Sequence, residues 1–225
     1  MRAVLLDAMG TLVELEDAVP RLSRGLRERA GIEVGEPACE AALMAEISFY
    51  RAHHLRGGSH AGLRTLRRDC ARVLRDGLGP RAAGAQLSMI VEVLLDALRF
   101  RAHADAQPAL SSLRARGLRL AVVSNWDVGL DAVLDRLGLR AHLDAVVTSA
   151  AVGAAKPDPR VFRRALAGLG CPAGAAVHVG DRMHDDVAGA RAAGVHAVLL
   201  DRGGGPIPAG VASVRGLAEL DALIS

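Results

Sequence analysis

Five short apolar runs, at residues 3–6, 118–123, 145–148, 175–179 and 196–200, constrain this chain more than any other feature. Each has the length of one buried strand and is too short for a globular helix. Between the later runs the apolar period changes. Leu130, Val133, Leu134 and Leu137, then Val161, Phe162, Ala165 and Leu166, keep the spacing of helices buried along one face. Continuous apolar strands alternating with amphipathic helices predict a parallel sheet covered on both sides. The expected class is α/β, a Rossmann-like doubly wound sheet.

One long stretch breaks that rhythm. From about Glu14 to Ala104 the sequence shows no strand pattern. Leu87, Ile90, Val91, Leu94, Leu95 and Leu98 hold helical spacing, as do Leu63, Leu66, Cys70, Val73 and Leu74. Val19, Leu22 and Leu26, then Leu43, Ile47 and Tyr50, follow it more loosely, and Gly31, Gly35, Gly57, Gly58 and the segment 77–80 punctuate the helices. A helical domain over 15–104 is therefore expected inside an α/β core made of 1–14 and 105–225. The Gly-Gly-Gly-Pro segment at 203–206 reads as a loop, with the wrong context for a phosphate cradle.

Composition narrows the function classes. Half of the 225 residues are apolar (51%) and 24% are charged, which suits a globular core. No apolar run nears the about 20 residues of a membrane helix, and the start of the chain carries no signal-peptide cleavage pattern, so a cytoplasmic protein without a membrane partner is expected. Cys39, Cys70 and Cys171 are odd in number and widely spaced, which predicts small buried hydrophobes in a reducing compartment. Net charge is +3, and only five aromatics are available to stack bases, so no nucleic-acid partner is expected. The 28 basic residues are 27 arginines and one lysine, Lys156. A compact ammonium differs from a planar fork, so Lys156 hints at a place where a fork does not fit, although chance could also leave a single lysine anywhere.

In an open α/β sheet the ligand lies beyond the carboxyl ends of the strands. The first run ends in Asp7-Ala8-Met9-Gly10-Thr11-Leu12, the second in Ser124-Asn125-Trp126-Asp127. Lys156-Pro157-Asp158-Pro159 follows the third, and Gly180-Asp181-Arg182-Met183-His184-Asp185-Asp186 closes the fourth. Crowded carboxylates are most easily satisfied by a hard divalent cation such as Mg²⁺. Lys156 and Ser124 could hold an anionic substrate there, and attack by Asp7 on a phosphoryl group would give an aspartyl-phosphate that water later cleaves.

These four motifs, in this order, resemble the haloacid dehalogenase-like hydrolases, and the wording Ser-Asn-Trp-Asp and His178-Val179-Gly180-Asp181 is similar to their DREG-2-like branch. The resemblance covers the whole chain and implies the subclass I layout, with 15–104 as a helical C1 cap. It implies Asp7 as nucleophile and metal ligand, Ser124 as the hydroxyl that binds the transferring group, Asn125 beside it, and Lys156 as the balancing charge. Asp181 matches the metal-binding acid and Asp186 an outer acid that supports it. The resemblance further implies Mg²⁺, a small phosphorylated or anionic substrate, and a monomer or homodimer.

The departure is Met9. Phosphatases of the family carry a second aspartate there, which protonates the leaving alkoxide and later activates water; losing such help costs on the order of 10²–10⁴ in rate. The backbone carbonyl at that position can still bind the cation. Dehalogenases of the family also lack that aspartate, since a halide leaves without a proton, but they work without metal and lose the acid that Asp181 supplies here. The expected function is a Mg²⁺-dependent phosphatase of a small metabolite. The alternatives are a metal-independent dehalogenase-type hydrolase, with Arg51 or Arg56 gripping a carboxylate, and a weakly catalytic ligand-binding or regulatory protein.

Other readings compete at single residues. Asp7 could cap a helix, Ser124 and Asn125 could be turn chemistry, and Asp185 and Asp186 could serve a helix dipole. His184 could replace the missing acid or lie on a surface loop. His53, His54 and His60 are expected to be solvated or to face substrate instead of binding metal. Phe49, Tyr50 and Trp126 could line a pocket or pack in a core.

Overall fold

The computed structural model describes residues 1–224. The strands are β1 (Ala3–Leu6), β2 (Val13–Leu15), β3 (Phe100–Ala102), β4 (Arg119–Ser124), β5 (Ala145–Thr148), β6 (Ala176–Gly180), β7 (His196–Leu200) and β8 (Ala212–Val214). The helices are α1 (Val19–Ala30), α2 (Glu36–His53), α3 (His60–Gly77), α4 (Leu87–Ala97), α5 (Ala106–Ala115), α6 (Leu130–Arg136), α7 (Ser149–Val152), α8 (Pro159–Leu169), α9 (Gly189–Ala192) and α10 (Leu220–Leu223). The chain divides into two compact units, Met1–Glu14 with Arg101–Ser225, and Leu15–Phe100.

The first unit is built on a six-stranded sheet in the order β5-β4-β1-β6-β7-β8, with every pair parallel. The order runs outward in both directions from β1, the arrangement of a doubly wound sheet, and puts the ends of β1, β4 and β6 side by side. Ala3 and Leu5 of β1, Ala121 and Val123 of β4 and Ala176 of β6 share a face and pack with Val161, Phe162, Ala165, Leu166 and Leu169 of α8. Asp158 caps α8 by accepting the Arg160 N–H at 2.9 Å, and Pro159 starts the helix where no amide donor is needed.

The second unit is helical. Leu22 and Leu26 of α1, Cys39 and Leu43 of α2, Leu66, Cys70 and Leu74 of α3, and Ile90, Val93 and Leu94 of α4 form its core. Ser59 caps α3, its hydroxyl accepting the Gly62 N–H at 3.1 Å. Leu98 falls just past the end of α4, and Leu95 is exposed. No helix among the described residues is long and apolar enough to cross a membrane.

Three details correct the sequence expectations. Strand β3 lies in the stretch read as wholly helical; it pairs with β2, and the flanking bonds from His103 N–H to Leu12 carbonyl (3.0 Å) and from Glu16 N–H to Arg99 carbonyl (2.9 Å) make that ladder antiparallel. Backbone pairing holds it without a buried face, so no apolar run announces it. The edge strand β8 is also mostly exposed and equally silent. His54 is buried instead of solvated, its Nδ1 2.8 Å from the Arg51 carbonyl.

Candidate active site

The segment after β1 is a tight turn organised around one carbonyl. Asp7 prolongs the ladder by donating its N–H to Val179 of β6 at 2.9 Å. The amides of Thr11, Leu12 and Val13 then converge on the Ala8 oxygen, while Gly10 N–H reaches the Val13 carbonyl. None of these backbone bonds goes to the Met9 carbonyl. Gly10 has φ +80°, and a Cβ there would lie 2.5 Å from Asp181 Oδ2, so glycine both makes the turn and lets Asp181 lie against it.

Lys156 is the hub. Its backbone is held on both sides by one amide: Asn125 Nδ2 donates to the Lys156 carbonyl at 3.0 Å, and the Lys156 N–H donates to Asn125 Oδ1 at 2.7 Å. Asn125, expected beside the substrate, thus clamps the lysine loop. The Lys156 ammonium donates to Asp7 Oδ1 at 2.7 Å and to Asp186 Oδ1 at 2.5 Å. Asp186 Oδ1 also meets His178 Nε2 at 2.9 Å, and its Oδ2 accepts the Arg182 N–H at 3.0 Å. Asp7, Lys156, His178 and Asp186 are all buried. Ser124, the last residue of β4, is buried opposite Thr148 of β5. Carboxylate oxygens of Asp7, Asp181 and Asp186 lie within 4.8 Å of one another, an oxygen-only donor set that suits a hard divalent cation.

Several candidates fall elsewhere. Asp185 pairs with Arg182 at 2.7 Å and His184 at 2.9 Å, and His184 itself is exposed. His53 stacks on Phe49, and Phe49 and Tyr50 pack against the helical core. Arg56 pairs with Asp69 at 2.7 Å. Trp126 is buried, its backbone N–H donating to Ser149 Oγ at 3.1 Å. Two supports escaped the sequence reading. Arg202 joins Asp105 to the Thr11 carbonyl at 2.8 and 2.9 Å, and Gly180 makes room for Asp186, whose Cγ a Cβ there would overlap.

A family model described as haloacid dehalogenase-like hydrolase matches residues 1–194. The chain belongs to that family. It is 50% identical over 95 residues to haloacid dehalogenase-like hydrolase domain-containing protein 3 of Mus musculus, covering 42% of this chain and 38% of that protein. It is 43% identical over 106 residues to a phosphoserine phosphatase of Thermus thermophilus, covering 47% and 43%. These matches span under half of either relative. Among solved structures it resembles a HAD phosphatase from Thermococcus onnurineus (TM-score 0.68, 26% identity, 100% of this chain and 98% of that one). It also resembles a 2-haloacid dehalogenase from Pseudomonas syringae pv. Tomato (TM-score 0.71, 26% identity, the same coverage). The fold is therefore shared by both chemistries.

The electrostatics of this haloacid dehalogenase-like hydrolase divide its acids. Burial raises the Asp7 pKa, and the Asp186 charge adds to that, against the pull of Lys156. Burial would also raise Asp186, but the His178 hydrogen bond and the Lys156 charge hold it well below the usual carboxylate range. Burial alone would lower the Lys156 ammonium; the Asp7 and Asp186 charges outweigh it and raise the pKa. Asp181 keeps contact with solvent, yet loss of water around its carboxyl and the nearby Asp7 and Asp186 charges push it up to about 6. Lys156 bridges the two buried acids Asp7 and Asp186, and the acids whose charged form stays disfavoured are Asp7 and Asp181.

Proposed function

We propose that this hydrolase is a Mg²⁺-dependent phosphatase of a small phosphorylated metabolite, working through an aspartyl-phosphate on Asp7. The observation that carries the reading is the surplus of carboxylate beside a fixed ammonium. Asp186 is already occupied by Lys156, His178 and the Arg182 amide, so Asp7, Asp181 and the Met9 carbonyl are the donors that would hold the cation, with Asp186 behind them. Hard oxygens, one of them a backbone carbonyl, fit Mg²⁺. Once bound, the ion supplies charge neutralisation for an anionic substrate and its developing negative charge.

The chain's own residues do the rest. Lys156 holds one oxygen of Asp7, leaving the other to attack phosphorus as the bond to the leaving oxygen breaks. Ser124 at the end of β4 and the Lys156 ammonium would hold phosphoryl oxygens. Water then attacks the phosphorus of the aspartyl-phosphate, releasing phosphate and restoring Asp7. Met9 can neither protonate the departing oxygen nor activate that water. The leaving groups favoured are those needing no proton, such as phenolates and acyl groups. Alkyl phosphates should turn over slower by on the order of 10²–10⁴ than with an acid in place.

Hydrolysis of para-nitrophenyl phosphate tests this directly. Release is expected with Mg²⁺, lost in EDTA, and lost on Asp7→Asn by on the order of 10⁴-fold or more. Met9 also favours a second reading, metal-independent dehalogenation, because a halide needs no proton. Halide release from a 2-halo acid unchanged by EDTA, with no nitrophenolate formed, would establish that reading instead.

A further inference from the structure

One fully buried polar side chain has no role in those steps. His178 sits in the middle of β6, in register with Leu5 of β1, among alanine, valine and glycine neighbours. A buried polar group without a partner costs about 1–3 kcal/mol, so a histidine at this place needs a reason. Its ring is wedged edge-on against Phe162 of α8, centroids 5.0 Å apart and planes at 85°. Nδ1 has no partner among the described residues, and Nε2 meets Asp186 Oδ1. An ionised carboxylate can only accept, so the proton in that bond is on Nε2.

The strand explains how the two meet. Positions 178 and 180 of β6 share a face, and the missing side chain at Gly180 is the space in which the Asp186 carboxylate lies. Asp186 is thereby laid on the sheet beside the imidazole. Its Oδ1 carries two donors at once, His178 and Lys156, and among the described residues the Arg182 amide alone holds Oδ2. The lysine stem is flexible, and its ammonium bridges two carboxylates. Where Asp186 Oδ1 stands therefore decides where the ammonium stands, and so which way Asp7 is held.

We infer that His178 is a positioning residue: its Nε2–H fixes the Asp186 oxygen that anchors Lys156, and through Lys156 it orients the nucleophile Asp7. The inference rests on the phosphatase reading only for what Asp7 attacks. Partners standing behind directly acting groups typically contribute about 10–100-fold in activity.

Lys156 is the chain's one lysine, so protein grown with ¹³C,¹⁵N-lysine gives a single lysine Nζ resonance that reads the pairing without any substrate. Two variants separate donor placement from packing. His178→Gln can bring an amide N–H to where Nε2 lies, whereas His178→Asn ends near Nδ1 and cannot reach Asp186. The Gln variant should keep the wild-type lysine resonance and a kcat within about threefold on para-nitrophenyl phosphate. The Asn variant should shift the resonance and lose about 10–100-fold in kcat, with KM changed by no more than about twofold. A merely structural histidine would lower the melting temperature of both variants and leave resonance and kcat together unmoved. An Asn variant with wild-type resonance and wild-type kcat overturns the inference. If that variant does not fold, a Gln variant that loses the lysine resonance position overturns it, and one that keeps it together with kcat supports it. Wild-type protein that releases no nitrophenolate defeats the phosphatase reading alone, and the lysine resonance still decides this one.

Discussion

The two units handle polar groups in opposite ways. In the α/β unit, Asp7, Lys156, His178 and Asp186 are buried together in and beyond β1 and β6 and joined by hydrogen bonds through Lys156 and Asp186. In the helical unit the core is apolar, and the buried polar side chains among the described residues are Glu46 and His54. Burial pushes the Glu46 carboxyl up, eased by a hydrogen bond with Cys70, and His54 Nε2 has no hydrogen-bond partner among the described residues. Ion pairs such as Arg56–Asp69–Arg72 lie outside, where water screens them. Burying a charged set costs several kcal/mol per ion before pairing returns it. A chain that does so at the strand ends and avoids it in the helices locates its chemistry by that difference.

The sharpest way to break the contrast is to remove its hub. Lys156→Met leaves Asp7 and Asp186 buried without their shared cation. Breaking a buried pair from one side costs about 3–5 kcal/mol, and at about 2–4 °C per kcal/mol for a chain of this size the melting temperature should fall by roughly 10 °C. Differential scanning fluorimetry checks this; a fall below about 3 °C would mean that the acids are not held as described. Next in size is Gly180→Ala. Its new methyl group overlaps the Asp186 carboxylate, and overpacking of that kind costs about 1–3 kcal/mol. Displacement of Asp186 should also cut nitrophenyl phosphate turnover more than about tenfold. Wild-type melting and turnover together would show that the strand-end space is not needed.

Most of the α/β unit was legible because its strands are buried on both faces, so their apolar runs stand out between helical periods. The candidate nucleophile, the lone lysine and the acids were legible for a related reason: each interrupts such a run or follows its end. What stayed hidden was held by pairing instead of burial. Strand β3 has no buried face, and strand β8 is mostly exposed. The Asn125 clamp, the His178 contact and the Arg202 support depend on side chains far apart in sequence. One local signal was available for His178: a histidine inside a run of alanine and valine, two residues before the glycine that precedes Asp181.

The comparison sharpens further with pH, because Asp181 behaves against the usual rule for carboxylates. Its pKa is raised to about 6, above the about 3.9 of an unfolded aspartate. The folded protein therefore binds more protons than the unfolded chain between those values, and this group's contribution to stability is fully present below about 4 and lost as pH rises through 6. In metal-free protein, Asp181→Asn should be more stable than wild type at pH 7.5, by on the order of 1 kcal/mol once solvent screening of the exposed group is allowed for. The advantage should shrink through pH 6 and vanish near pH 4. A gap that stays constant across that range would mean that Asp181 is not crowded by Asp7 and Asp186.

The smallest effect belongs to the helical surface. Arg72 pairs with Asp69 at 2.7 Å, but its side chain is half exposed and Arg56 holds the other oxygen of the same acid. Arg72→Ala thus removes one of two screened partners, and exposed pairs on a helix contribute about 0.3–0.5 kcal/mol. Melting should move by no more than about 2 °C, and by less in 0.5 M salt, where the Debye length falls to a few ångströms. A loss comparable to that of Lys156→Met would remove the distinction between the units, since an exposed arginine would then matter as much as the buried lysine on which Asp7 and Asp186 depend.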